Sequence, residues 1–341
     1  MSAFQAVYEG SIPFTRSMKK VAIVGSGIIG IYIALRLKEK GFDVFLYDKK
    51  KEKDIGFKPC STLVSERIKQ FLCFSDNCIE NTINTCKIHF PRKTIELNFN
   101  PKHLVLNRDK LIKEQLVLLN ERGVSLRLGE EIKSIPLNFD YVIGCDGPFS
   151  VIRKELGLKD PEMKIGMQVF VDKKDNANFT DIFPIQSGFL WKIPKGDYLE
   201  YGILSKSSKA KDILINFLEK EKIKEKQVFA ASVPLGMVFS KDKRVALCGD
   251  AMGLTKPWSG GGIIWSLYAA SILVETFPDF KEYEKKTRQF FQYKILKGLI
   301  ANKLVNLIGF TFPYIIPSKI NYDNDFPNFF KSMIDLIRKN F

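Results

Sequence analysis

Gly25, Gly27 and Gly30 stand at G-x-G-x-x-G spacing, and an acid, Asp48, follows further along the chain. Gly25 permits a tight turn, Gly27 lets backbone approach a pyrophosphate, and Gly30 lets a helix pack close on the preceding strand. A carboxylate placed like Asp48 suits the ribose hydroxyls of an adenine nucleotide. A second junction, Cys145-Asp146-Gly147-Pro148-Phe149-Ser150, again sets an acid and a glycine before a potential helix cap, Ser150. In a third, Gly249-Asp250 precedes Gly260, Gly261 and Gly262. Asp250 could accept bonds from sugar-alcohol hydroxyls. A triple glycine before an apolar helix is costly in entropy, which points to close approach of the backbone to an electron-rich ligand. Arg108 opens a helix, where a cation opposes the helix dipole; it either faces an anion such as a phosphate or lies on the open surface. Cys60 is either a reactive thiol near a cofactor or a small buried residue.

The apolar spacing predicts the elements that would carry these groups. Val21–Val24 is a short β-branched run, as in a buried parallel strand. A helix follows to about Lys40 and stops at Gly41, and Val44–Tyr47 is the strand that delivers Asp48. Residues 57–69 read as a loop entering a helix capped by Ser61 or Thr62. Cys86–Phe99 has the alternation of a β-hairpin turning at Pro91–Lys93, Leu104–Leu106 is a further short strand, and Asn107–Arg122 is a helix. Val124–Leu128 and Tyr141–Gly144 are strands. Met163–Ser205 reads as short antiparallel strands with turns at 172–178 and 195–197, and Ser208–Lys226 as a lysine-rich amphipathic helix. Val245–Cys248 is a strand, and Trp265 suits core packing after it. A long helix opens the tail from Phe280; its apolar face would lie on a membrane surface or against the rest of the protein.

The fold class these elements predict is α/β with two domains: a Rossmann-like nucleotide-binding domain with a mixed sheet, an antiparallel β-sheet substrate domain and a helical C-terminal segment. The expected division is a flexible extension at 1–17, a discontinuous nucleotide-binding domain at 18–60, 103–160 and 240–285, a substrate domain at 61–102 and 161–239, and the helical segment at 286–341.

Composition bounds the reading. The chain has 341 residues, 45% of them hydrophobic, which excludes bulk disorder. Its 53 Lys+Arg against 38 Asp+Glu give +15. The basic residues are dispersed and no nucleic-acid motif accompanies them, so no nucleic-acid partner is expected; attraction to anionic headgroups or an acidic protein partner explains the surplus equally well. The six cysteines form no C-x-x-C, and the two histidines, His89 and His103, have no motif around them, so no metal site is expected. With no secretory signal and no window of ~18 uninterrupted apolar residues, the expected location is cytoplasmic, at most peripheral at the inner membrane surface.

Together, Gly25–Asp48, Gly144–Ser150 and Arg244–Gly262 resemble the FAD-binding signatures of flavoproteins with the para-hydroxybenzoate hydroxylase fold. Within that superfamily the chain is most similar to the archaeal and plant geranylgeranyl reductases. GDAMGLTKPWSGGGI resembles their G-D-A-A-G-x-x-x-P-x-x-G-G-G-I, and FLWKIPKGDYLEYG at Phe189–Gly202 resembles their aromatic-x-W-x-F-P…G strand, which lines an isoprenoid tunnel. The resemblance spans residues 20–275. It departs from the pattern at Ser61-Thr62, where relatives often carry glycine, and at Ile193, which replaces an aromatic before Pro194.

Carried onto this chain, the resemblance implies that Gly25, Gly27 and Gly30, flanked by Ile28 and Ile29, hold the FAD pyrophosphate. Asp48 and Lys49 would meet the adenosine end, and Arg108, Asp146 and Gly147 would contact the cofactor. Gly249 and Asp250 would bind the ribityl or pyrophosphate region, and Gly260, Gly261, Gly262 and Ile263 would face the isoalloxazine. Cys60 matches a cysteine beside the flavin, and Trp191, Pro194, Pro257 and Trp258 would shape the substrate tunnel. The implied activity is reduction of isolated double bonds in a geranylgeranyl chain on an archaeal-type glycerolipid, with reduced ferredoxin or NAD(P)H as donor. An aromatic monooxygenase or halogenase, and a lipid-binding protein without flavin chemistry, are the competing expectations.

Overall fold

A computed structural model describes residues 18–56, 59–224 and 227–327. The expected extension at 1–17 and the end of the 286–341 segment lie outside the described residues, as do Phe57, Lys58 and Lys226. In chain order the elements are β1 (Lys20–Val24), α1 (Ile28–Glu39), β2 (Asp43–Asp48), β3 (Leu63–Ser65), β4 (Ile79–Phe90), β5 (Lys93–Leu106), α2 (Arg108–Glu121), β6 (Ser125–Leu128), β7 (Tyr141–Gly144), α3 (Val151–Glu155), β8 (Glu162–Asp175), β9 (Phe179–Ile185), β10 (Gly188–Ser205), α4 (Ala210–Lys220), β11 (Phe229–Leu235), β12 (Val245–Leu247), α5 (Ile263–Thr276), α6 (Phe280–Thr311) and β13 (Lys319–Tyr322).

The first sheet runs β12-β7-β1-β2-β6, and every neighbouring pair is parallel. Parallel strands need crossover helices over the faces, so the central strand is apolar throughout: Val21, Ala22 and Ile23 are fully buried. α1 and α5 pack against each other, with Ile31, Ile33, Leu37, Trp265 and Leu267 at 0% exposure. α1 stops where expected, at a left-handed Gly41 after Lys40.

The second sheet runs β11-β8-β10-β9-β4-β5-β13, with β3 on β5. It is antiparallel except for β4–β9 and β5–β13, which are parallel. The mixture therefore lies here and not in the nucleotide-binding sheet. β4 and β9 are joined through a long inserted stretch, which frees them from hairpin pairing.

Three local expectations are corrected. Leu104–Leu106 is the end of β5, not a separate strand, because the hairpin extends well beyond Cys86–Phe99. Residues 195–197 form a bulge inside β10, with a register shift between Gly196 and Tyr198 against β8, not a turn. No α-helix follows Thr62; β3 and a short 3-10 turn, Glu66–Gln70, occupy that stretch.

Candidate functional site

β12, β7, β1 and β2 all end at one edge of the parallel sheet, so Asp250, Asp146–Gly147, Gly25–Gly27 and Asp48 come together there. Such a carboxyl edge is where open α/β sheets bind ligands. Gly25 has φ +107°, and a Cβ on it would fall 2.3 Å from the Cys145 carbonyl oxygen. Only glycine fits, and the first junction is thereby clamped onto the second. A Cβ on Gly30 would lie 1.9 Å from the Gly25 carbonyl oxygen, so the helix can approach the turn only without a side chain there. At Gly27, by contrast, the nearest atom to such a Cβ is Arg108 Nη2 at 3.8 Å, and at Gly147 nothing lies within 4 Å. These two glycines border open space.

α1 and α5 begin at Gly27 and Gly262, with no side-chain cap and no acid in the first turn. α2 and α6 are capped by Asn107 and Asp279. The two helices aimed at the sheet edge thus keep their first-turn N–H groups and positive dipole ends for an anion. Arg108 is half-buried, and among the described residues no carboxylate pairs with it. Ile28 is buried, and Ile29 and Ile263 are half-buried.

Asp48 accepts at Oδ2 from Ser26 N–H and Oγ–H, both at 2.8 Å, and at Oδ1 from Lys50 N–H at 2.9 Å. These bonds fix the carboxylate beside the glycine turn. Lys49 is exposed. The Asp146 carboxylate caps α3: Oδ1 accepts from Ser150 Oγ at 2.6 Å and Oδ2 from Val151 N–H at 2.7 Å. Its contact with a ligand would therefore come from backbone. Ser150 is the N-cap expected of it, accepting from Arg153 N–H at 3.0 Å.

At the third junction Gly249 is left-handed, φ +69°, and lies over Ile29 of α1. A Cβ on Gly262 would sit 3.4 Å from Asp250 Oδ1, and one on Gly260 would sit 2.7 Å from Leu204 and 3.2 Å from Val233. Leu204 belongs to an apolar cluster of the second sheet with Ile83, Val105, Trp191 and Ile193. The apolar wall and the glycine junction are in contact.

Trp191 is 9% exposed; its ring covers Gly202, and its indole N–H donates to Glu200 Oε1 at 2.8 Å. Pro194 and Pro257 are buried. Trp258 packs edge-on to Trp265, covers Gly298 of α6 and donates to Asn324 Oδ1 at 3.1 Å. Cys60 is half-buried, and Thr62 N–H points to its Sγ at 3.5 Å. Burial pushes the Cys248 thiol up to about 12 and the Cys145 thiol well above its ordinary range, so neither serves as a nucleophile near neutral pH. No cluster among the described residues could hold a metal ion.

Two buried charge clusters flank the site, and the sequence reading found neither. Lys195, on the bulged part of β10, lies 3.5 Å from Glu200 and 3.7 Å from Glu80. Lys256 donates to Asp325 Oδ1 at 3.1 Å, and Asp325 Oδ2 accepts from Ser65 and, at 3.1 Å, from Arg67. Reading 195–197 as a turn hides Lys195. Asp325 stands 69 positions from its lysine. Lys195 and Glu200 do stand out in a mostly apolar, aromatic strand, but Lys192 and Asp197 stand in it too, so residue type alone does not single them out.

The family described as "NAD(P)-binding Rossmann-like domain" matches residues 23–57, the first junction and its acid. Digeranylgeranylglycerophospholipid reductase 1 of Methanosphaera stadtmanae is 25% identical over 72% of this chain and 71% of its own length. A geranylgeranyl bacteriochlorophyll reductase-like protein of Thermoplasma acidophilum superposes with TM-score 0.80 at 21% identity, covering 95% of this chain and 97% of that one. The flavin-dependent halogenase CmlS superposes with TM-score 0.68 at 16% identity, covering 95% and 70%. Its motifs, its fold and its reductase-named relatives agree: the chain is similar to geranylgeranyl reductase-like proteins and shares their fold.

Proposed function

We propose that this FAD-dependent oxidoreductase saturates isolated double bonds of geranylgeranyl chains, on glycerolipids of the archaeal type. The observation that carries the reading is the meeting of two uncapped, acid-free helix starts, Gly27 and Gly262, at one sheet edge that also touches an apolar wall. The open space at Gly27 and Gly147 leaves backbone that a phosphate could approach, which supports a dinucleotide here. Gly25, Gly27 and Gly30 with the α1 N-terminus and Arg108 would hold its pyrophosphate, and Asp48 its adenosine ribose. Asp250 would hold the ribityl or pyrophosphate region, and the α5 N-terminus at Gly260–Ile263 would lie along the isoalloxazine. Bound there, FAD supplies reversible hydride transfer.

The chain's own residues do the rest. An isolated alkene has no carbonyl to absorb developing charge, so the apolar wall of Trp191, Ile193, Pro194 and Leu204 would exclude water and hold the prenyl chain. The α5 N-terminus would stabilise negative charge on the cofactor side. The proton would come from the Cys60 thiol or from water beside it. Reduced ferredoxin or NAD(P)H would supply electrons.

A lipid substrate also requires a route from a bilayer. No described helix is long and apolar enough to cross a membrane. α6 and the turn after it do expose Tyr293, Leu296, Ile300, Leu307, Phe312 and Tyr314, each by more than half. No acid occurs from Lys285 to Tyr322, whereas Lys294, Lys297 and Lys303 lie among the apolar side chains. An apolar ridge with interleaved cations suits peripheral contact with anionic headgroups.

The test is anaerobic. Chemically reduced holoprotein mixed with a geranylgeranyl glycerolipid should reoxidise while the lipid gains two mass units per bond. Flavin that stays reduced beside an unchanged lipid would contradict the reading. NAD(P)H oxidation under oxygen, stimulated by an aromatic compound, would favour the hydroxylase or halogenase class instead.

A further inference from the structure

Thr62 is a β-branched residue at φ +50°, in the left-handed region that glycine tolerates and threonine does not. It follows Cys60 and Ser61 directly, and its backbone pairs with Leu106, just before Arg108. It is 3% exposed, and its hydroxyl lies 2.7 Å from the Ser61 carbonyl and 2.6 Å from the Leu106 carbonyl. Conformations of this kind persist only where surrounding structure imposes them. Here the surroundings include a buried cation. Lys195 Nζ donates to the Ser61 carbonyl at 3.0 Å and to Thr62 Oγ1 at 3.3 Å, and Lys195 is 8% exposed.

The lysine is itself held in place. Glu200 is fully buried, and Trp191 fixes its Oε1 at 2.8 Å. Glu80 Oε1 accepts from Asn107 at 3.0 Å. The second oxygen of each carboxylate has no hydrogen-bond donor, and the Lys195 ammonium is the cation both face. The Phe170 ring closes another side, 5.7 Å from Nζ. A buried lysine between two carboxylates carries a desolvation cost, and here its remaining donors are aimed at one strained peptide.

We propose that Lys195 is a positioning residue: its ammonium, anchored by Glu200 and Glu80, clamps the Cys60–Thr62 loop into the left-handed conformation that sets this loop beside the cofactor edge. The relevance to catalysis rests on the function proposed above; the clamp itself does not.

The test uses Lys195→Met, and Lys195→Met with Glu200→Gln to keep the buried charge balanced should the single variant not fold. Alkylation of Cys60 by iodoacetamide, read by peptide mass with and without FAD, reports the loop. Release of the clamp should raise that rate about tenfold, and kcat should fall by about the same factor with KM little changed. Adding Thr62→Gly should restore both, because glycine needs no clamp at a positive φ. Lys195→Arg should keep most of the wild-type behaviour. An unchanged Cys60 rate in both Lys195→Met variants, or no rescue by Thr62→Gly, would overturn the clamp. If the clamp behaves as expected while no lipid is reduced, the proposed function fails and the clamp stands.

Discussion

Lys195 and Lys256 are both buried lysines beside a candidate-site loop, yet their surroundings differ in kind. Lys256 faces one carboxylate, Asp325, whose two oxygens are fully occupied by Lys256, Ser65 and Arg67. Arg67 is in turn held by Asp323 at 2.7 and 2.8 Å. Burial alone would raise the Asp325 pKa, but Lys256, the Ser65 hydrogen bond and His103 outweigh it and hold it at about 2. Lys195 faces two carboxylates that each keep an unbonded oxygen, and burial raises the Glu200 pKa against the pull of Lys195 and Trp191. A satisfied cluster fastens segments together, whereas a half-satisfied one carries an uncompensated desolvation cost. The Asp325 cluster ties Asp323–Phe326 to the loop that leads into α5, with Trp265 N–H on the Asp325 carbonyl at 2.8 Å.

The comparison breaks most sharply at Asp325. Asp325→Ala strands Lys256 without a partner and should cost about 3–5 kcal/mol, measured by urea unfolding. A loss under about 1 kcal/mol would mean that the cluster is no staple.

Acid sharpens the contrast, because the two clusters respond with opposite sign. His103 is 1% exposed, stacked on Phe99 and bonded to Asn324. Burial first, then the Lys256 charge, lowers its pKa from 6.5 to about 4 against the opposing pull of Asp325 and Asp323. The unfolded chain therefore takes up the proton first, and stability drains away as pH falls from about 6.5 to about 4, by on the order of 2–3 kcal/mol. His103→Gln should flatten that limb. The Asp325 contribution is present above its ordinary value and goes only between about 4 and about 2. An equally steep limb in His103→Gln would place the titration elsewhere.

Glu200 works in the other direction and gives the smallest effect. Its folded pKa is raised, so its contribution is largest below the ordinary carboxylate value and is lost as pH rises through the raised one. Glu200→Gln should therefore change stability by no more than about 1 kcal/mol at pH 5 and gain on the wild type at pH 8. A variant that loses ground with rising pH would contradict the assignment of Glu200 as the uneasy member.

Much of the backbone at the parallel sheet's carboxyl edge was legible in the sequence because it is made of local conformational requirements. Gly25 must be glycine for a turn against Cys145, α1 must end near a left-handed Gly41, and Ser150 caps α3 three residues ahead of its bond. The clusters were not legible, because a buried ion pair is a meeting of distant segments. Nothing in 53 cations and 38 acids says which few are buried together. The left-handed Thr62 was hidden for a related reason: Ser61 and Thr62 are good helix caps by residue type, and tertiary contacts with Leu106 and Lys195 override that preference. The bulge at Gly196–Tyr198 reads as a turn because Pro194, Gly196 and Asp197 are turn residues, while strand pairing on both sides carries β10 through them.

The central claim is that three glycine junctions form one flavin site, and the most direct measurement is flavin occupancy by visible absorption of the purified protein. Wild type should bind FAD near one to one, whereas Asp250→Ala and Gly25→Ala should each lose most of it. Wild type that stays colourless after incubation with FAD, or full occupancy in both variants, would contradict the account.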